Sequence, residues 1–223
     1  MSNNNLELCA SMMCANYASL EKEVTELDKA GIDSYHIDIM DGNFVDNFGM
    51  GFQDMEYIRR ATRNKLDVHL MIENAQRYLD ILTQIHPDIV YIHPEGTYAP
   101  GYIIEKLREL NIIPGIAINP STSIQTVQEL LNIVDRVMVM CVNPGHAGRK
   151  PQAYVDKKIE NLLKLKSDYN FEVYLDGACS LERITNFAKK GVKGFVLGTS
   201  VLFGKNRSYS EILSDLRKIE VAK

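Results

Sequence analysis

The chain has 223 residues, 45% hydrophobic and 24% charged, and 25 Lys+Arg against 29 Asp+Glu leave a formal net charge of -4. That length admits one α/β barrel or one large doubly wound domain whose core needs no disulfide or metal staple. The mild acidity argues against a nucleic-acid partner, and no run of about 18 or more apolar residues marks a membrane span. The polar stretch Met1–Glu7 lacks the basic and apolar leader of a secretory signal. Cys9, Cys14, Cys141 and Cys179 have no CxxC spacing. Free thiols in a reducing, cytoplasmic setting are therefore expected, and a cysteine zinc site is not.

In chain order, short apolar runs fall at Leu6–Met12, Tyr35–Asp41, Leu66–Met71, Asp88–His93, Ile113–Asn119, Arg136–Val142, Glu172–Asp176 and Gly194–Gly198. Stretches of helical period lie between them. Ser19–Ala30 puts Leu20, Val24 and Leu27 on one face, and Ala153–Lys166 reads the same way. So does Ser123–Asn132, opened by a capping cluster of hydroxyl residues. No linker or low-complexity tract divides residues 1–223. Repeated strand-plus-helix units of about 28 residues predict a single α/β domain, a (β/α)₈ TIM barrel. The alternative is an open doubly wound sheet, but the GxGxxG turn expected after its first strand for dinucleotide binding is missing.

In such barrels the chemistry sits at the C-terminal ends of the strands. Along Tyr35–Gly42, side-chain alternation puts His36, Asp38 and Met40 on one face and Ile37 and Ile39 on the other. The branched apolar pair suits the helix layer, so the polar face points into the barrel, where His and Asp need partners. The third run places Asp67, His69 and Met71 on a common face, and Asp176 ends the seventh. His36, Asp38, His69 and Asp176 thus converge from three strands. Singly, each reads more simply as a hydrogen-bonded core histidine or a loop-capping carboxylate. Together, two imidazoles and two carboxylates suit one divalent cation such as Zn, Mn, Co or Fe(II).

Glycine-containing turns follow the sixth, seventh and eighth runs: Gly145-His146-Ala147-Gly148, Gly177-Ala178 and Gly198-Thr199-Ser200. Backbone N–H groups there can approach an anion closely, and this end of the fold is its habitual phosphate site, so a phosphorylated small substrate is expected. Met40, Met71 and Met140 stand near strand ends, either as core filler or as a water-excluding wall. His86, before Pro87, reads as a surface position, whereas His93 reads equally as pocket lining or as a structural histidine.

These pieces resemble the ribulose-phosphate 3-epimerase family along nearly the whole chain. The resemblance is carried by Ser11, HIDIMDG at 36–42, DVHLM at 67–71, NPGHAG at 143–148, Asp176-Gly177 and Gly198–Ser200. It implies a phosphate-binding barrel that inverts carbon 3 of a ketose phosphate with a divalent metal. It further implies metal ligation by His36, Asp38, His69 and Asp176, with Asp38 and Asp176 as the acid/base pair. Ser11 and His69 would meet the substrate, the methionines would wall it in, and the glycine turns would hold its phosphate. Such barrels commonly associate, so a homo-oligomer is also expected.

Ser11-Met12-Met13-Cys14, His93-Pro94-Glu95, Asp176-Gly177-Ala178-Cys179 and Gly198-Thr199-Ser200 look more like the family's hexulose branch, which acts on D-allulose 6-phosphate, than its pentulose branch. The chain departs from the family pattern at Asp46, often Pro, at His146, usually Phe, and at Arg149-Lys150. Two further readings fit less well. A phosphate-binding decarboxylase needs Asp-x-Lys-x-x-Asp at the second strand, and Asp38-Ile39-Met40-Asp41 offers no lysine. A non-catalytic sugar-phosphate binder would be favoured by a missing carboxylate, and both are present.

Overall fold

The computed structural model describes residues 6–221; Met1–Asn5, the start of the polar N-terminal stretch, lie outside the described residues, as do Ala222 and Lys223. Eight strands form a closed, wholly parallel barrel in chain order: β1 (Glu7–Ser11), β2 (Ser34–Met40), β3 (Lys65–Met71), β4 (Ile89–Ile92), β5 (Ile113–Ile118), β6 (Arg136–Met140), β7 (Glu172–Asp176) and β8 (Gly194–Leu197). β8 pairs back onto β1, with Leu8 opposite Phe195, so the open-sheet alternative is excluded. Around the barrel run α1 (Leu20–Ala30), α2 (Phe52–Ala61), α3 (Leu79–Ile85), α4 (Pro100–Glu109), α5 (Ile124–Val127), α6 (Val155–Leu165), α7 (Leu181–Ala188) and α8 (Tyr209–Leu216). No helix among the described residues is long and apolar enough to cross a membrane.

Strands buried on both faces read as continuous apolar runs. Their outward residues, among them Ile37, Ile39, Val68, Leu70, Val137 and Val139, join Val24 and Leu27 of α1 and Ile159 and Leu162 of α6 in one large core. In α1, Glu21 and Glu23 occupy the first turn and Lys29 the last, complementing the helix dipole. Gly31 then ends the helix in the left-handed region, donating to Leu27 O. The expected helix over Ser123–Asn132 is shorter. Ser123 caps it by accepting from Thr126 N, but after α5 the chain tightens into a 3₁₀ segment, Gln128–Asn132.

Inside the barrel, a second cluster of Cys9, Ile89, Tyr91, Ala117, Met138, Tyr174 and Val196 fills the lower half. The Tyr91 ring lies so close to Gly115 that a Cβ there would sit 2.5 Å from it. Tyr174 donates to Glu7 at 2.9 Å, and Arg136 bonds the same carboxylate at 3.0 Å. This aromatic floor, closed below by the Glu7–Arg136 pair, separates the lower end of the barrel from the upper half of the interior, where the His36, Asp38 and His69 side chains lie.

Candidate active site

Register determines which side chains share a level. β2 and β3 pair His36 with Asp67, Asp38 with His69 and Met40 with Met71, while β1 brings Ser11 level with His36. β6 and β7 pair Met140 with Asp176. One ligand atom from each of His36, Asp38, His69 and Asp176 lies within 4.8 Å of all the others. The convergence read from strand alternation is therefore present in space.

The polar atoms of this cluster have specific neighbours. His36 Nδ1 is paired with Asp67 Oδ1, and Asp67 Oδ2 accepts from Ser34 Oγ at 2.6 Å. His36 Nε2 and His69 Nδ1 are each 3.4 Å from Asp38 Oδ1, and His69 Nδ1 is 3.7 Å from Asp176 Oδ2. Both ring nitrogens are buried without a hydrogen-bond partner among the described residues. Two orphaned lone-pair positions facing two carboxylates are what a bound cation would satisfy, and the borderline donor set suits a divalent transition metal. Burial lowers the His36 imidazole, yet the flanking Asp67 and Asp38 carboxylates outweigh it and shift this ring upward. Burial likewise raises the Asp38 carboxyl, but His36 and His69 outweigh it and hold Asp38 well below the usual carboxylate range. Asp176 moves the other way, raised by burial and then by the negative Asp38.

Ser11 Oγ donates to Asp38 Oδ2 at 3.0 Å, so the expected substrate-side hydroxyl also orients the carboxylate. Met40 and Met71 pack with Val45, against Met13 and Phe44, beside the cluster. The cavity above is lined by Ser11, the Met40, Met71 and Met140 side chains, Asp38 and Asp176, and all three glycine-containing turns. His36 and His69 lie beneath this lining and are fully buried. In the turns, Gly145, Gly148 and Gly177 adopt positive φ, as does Ala178 at 51°. At Gly177 the requirement is steric as well, because a Cβ would lie 2.5 Å from Val142.

The three departures from the family pattern meet at the mouth. His146 Nδ1 is 3.7 Å from Asp46 Oδ1 and accepts from Arg149 at 3.1 Å, while Asn47 Nδ2 donates to Gly145 O at 2.6 Å. The loops after β2 and β6 are thereby linked over the cavity, and Arg149 is the one Lys or Arg among its described lining residues. No motif in the sequence gives Asp67, Glu95, Met13 or Cys14 an individual role. Asp67 carried the right signal, since it shares strand parity with His69, but its pairing with His36 depends on register. His93 proves buried against His69, whereas His86 is an exposed left-handed helix end, as expected.

The fold and cavity define a (β/α)₈ barrel whose interior carries a histidine–aspartate cluster beneath a glycine-lined mouth. The ribulose-phosphate 3-epimerase family model matches residues 7–202, and the chain belongs to that family of carbohydrate isomerases. It is 32% identical over 219 residues to the ribulose-phosphate 3-epimerase of Helicobacter pylori, covering 96% of this chain and 99% of that one. It is 30% identical to the enzyme of that name from Bacillus subtilis, covering 95% and 98%, and 30% identical to that of Methanocaldococcus jannaschii, covering 90% and 86%. Among solved structures, phosphoribosyl anthranilate isomerase of Thermus thermophilus superposes with a TM-score of 0.67 at 10% identity, covering 96% of this chain and 100% of that one. Thiamine phosphate pyrophosphorylase of Pyrococcus furiosus gives 0.63 at 18%, covering 97% and 96%. At those identities the likeness is one of fold.

Proposed function

We propose that the chain is a metal-dependent ketose-phosphate 3-epimerase in which His36, Asp38, His69 and Asp176 hold one divalent ion. The carrying observation is the pair of orphaned ring nitrogens, His36 Nε2 and His69 Nδ1, facing Asp38 and Asp176 at the base of the cavity. When bound, a Zn, Mn, Co or Fe(II) ion supplies Lewis-acid stabilisation of negative charge on the substrate oxygens. The protein's own groups do the rest. Inversion at carbon 3 requires a proton taken from one face of the substrate and another delivered to the opposite face. Asp38 from β2 and Asp176 from β7 reach the centre from separate parts of the ring and serve as base and acid, exchanging roles with reaction direction. Ser11 holds Asp38 through its Oδ2, the methionines exclude water, and the turns at Gly145–Gly148, Gly177–Ala178 and Gly198–Ser200 receive the phosphate on backbone N–H groups. Cys9, Cys14, Cys141 and Cys179 are all free thiols, which supports a cytoplasmic setting.

For the substrate we favour the D-allulose 6-phosphate/D-fructose 6-phosphate pair, on the motifs at Ser11–Cys14, His93–Glu95, Asp176–Cys179 and Gly198–Ser200. The second reading, D-ribulose 5-phosphate/D-xylulose 5-phosphate, is favoured by the names of the relatives. Comparing kcat/KM for the two ketose phosphates separates them, using chelated protein and protein with metal restored, because specificity is a difference in transition-state binding. A preference for the hexulose phosphate supports the first reading and a preference for the pentulose phosphate the second. Turnover of neither by metal-loaded protein overturns the epimerase reading. With metal retained, Asp176→Asn should lower turnover in both directions by about 10²–10⁴-fold. Near wild-type turnover in that variant would remove the two-carboxylate scheme.

A further inference from the structure

Behind His69, on the side away from the cavity, lies a second histidine that the proposed chemistry does not use. His93, which follows β4, is buried, and its Nε2 is 2.9 Å from His69 Nε2, with the two ring planes inclined by 27° at a centroid distance of 5.0 Å, so that the rings meet edge to edge. Its other nitrogen, Nδ1, faces Glu95 Oε2 at 3.4 Å and has no other partner among the described residues. Glu95 is itself anchored to the end of β5, because Oε1 accepts from Asn119 N at 2.9 Å and from the Thr122 hydroxyl. Phe44 covers the outer edge of the His93 ring at a centroid distance of 4.7 Å.

Two ring nitrogens at this separation share a single proton, and only one arrangement suits both ends of the row. If His93 Nε2 donated, the His69 proton would sit on Nδ1, the nitrogen turned toward Asp38 and Asp176, and no lone pair would remain there for a cation. The His93 Nδ1 lone pair would then point at a carboxylate. If His69 Nε2 donates instead, its Nδ1 lone pair is free toward the cluster, and His93 carries its proton on Nδ1, directed at Glu95. We propose that His93 and Glu95 are positioning residues. The Glu95 carboxylate selects the Nδ1–H form of His93, which accepts from His69 Nε2–H and so presents His69 Nδ1 as a ligand. This rests on the metal-site reading above and extends it from the ligands to the groups that orient one of them. Such partners typically contribute about 10–100-fold in metal affinity.

The test uses Co(II) and Zn(II) as probes on the full chain. Ring ¹⁵N correlations of the Zn(II)-loaded wild-type protein should show His69 protonated at Nε2 and His93 at Nδ1. A proton on His93 Nε2 would overturn the proposal, and this readout needs no variant. Chelator competition should show that His93→Phe, which removes the acceptor, lowers Co(II) affinity about 10–100-fold. His93→Gln should recover most of the loss, because its amide oxygen can accept from His69 Nε2–H. Wild-type affinity in His93→Phe would refute the positioning role while leaving the metal site standing. Failure of the wild-type chain to take up either ion would refute the metal site and the proposal with it.

Discussion

Asp67 shows how a single register pair controls the site. Its carboxylate lies between Ser34 Oγ and the His36 ring, one oxygen to each, and all three residues are buried. Removing the carboxylate leaves a hydroxyl and a ring N–H without acceptors inside the barrel. An unsatisfied buried donor costs about 1–3 kcal/mol. Asp67→Ala should therefore lower the free energy of urea unfolding by at least that range and loosen His36 as a proposed ligand. Asp67→Asn, which keeps one acceptor oxygen, should lose less stability. Equal stabilities for the two variants would show that the hydrogen bonds at this position contribute little and that packing alone decides the loss.

At the scale of elements, the loop after β6 carries the features that are particular to this chain. Arg149 lines the cavity mouth and donates to His146, which in turn faces Asp46 on the loop after β2. A phosphate dianion held by backbone N–H groups alone would gain a charge partner from this guanidinium. Arg149→Gln should raise KM for a ketose phosphate about tenfold, equivalent to about 1.4 kcal/mol, with kcat nearly kept. Added salt should raise KM more in the wild type than in the variant, since an exposed charge pair is screened. An unchanged KM would assign Arg149 to tying the two loops together. This link was not legible in the sequence, because it joins side chains that only the closed barrel brings together. The strands were legible, since burial on both faces demands continuous apolar runs, and the His36-Ile37-Asp38-Ile39 alternation showed which side faces inward. The helix predicted to run from Ser123 to Asn132 matched an apolar pattern that a 3₁₀ segment also satisfies. His93 stayed ambiguous because its meaning lies in a ring on the neighbouring strand.

For the whole molecule, the distribution of the cluster ties the proposed metal binding to the stability of the barrel. Its four members come from β2, β3 and β7; the paired neighbours β2 and β3 bring three of them together, and Asp176 on β7 joins them only when the barrel has closed. An unfolded chain cannot present them together, so an ion bound there stabilises the folded state by RT ln(1 + [M]/Kd), about 2.7 kcal/mol at a hundredfold excess over Kd. For a protein of this size, each kcal/mol moves Tm by about 2–4 °C. Chelation should then lower Tm by about 5–11 °C relative to protein in such an excess of metal, and restoring the ion should recover it. The aromatic floor beneath the cluster gives the control. Met138 is fully buried there, and Met138→Ala should destabilise the protein by about 2–5 kcal/mol whether or not metal is present. The metal-dependent part of Tm should survive Met138→Ala and shrink in His69→Ala. If chelation shifts Tm equally in wild type and His69→Ala, the stabilising ion is bound elsewhere and the cluster is not its site.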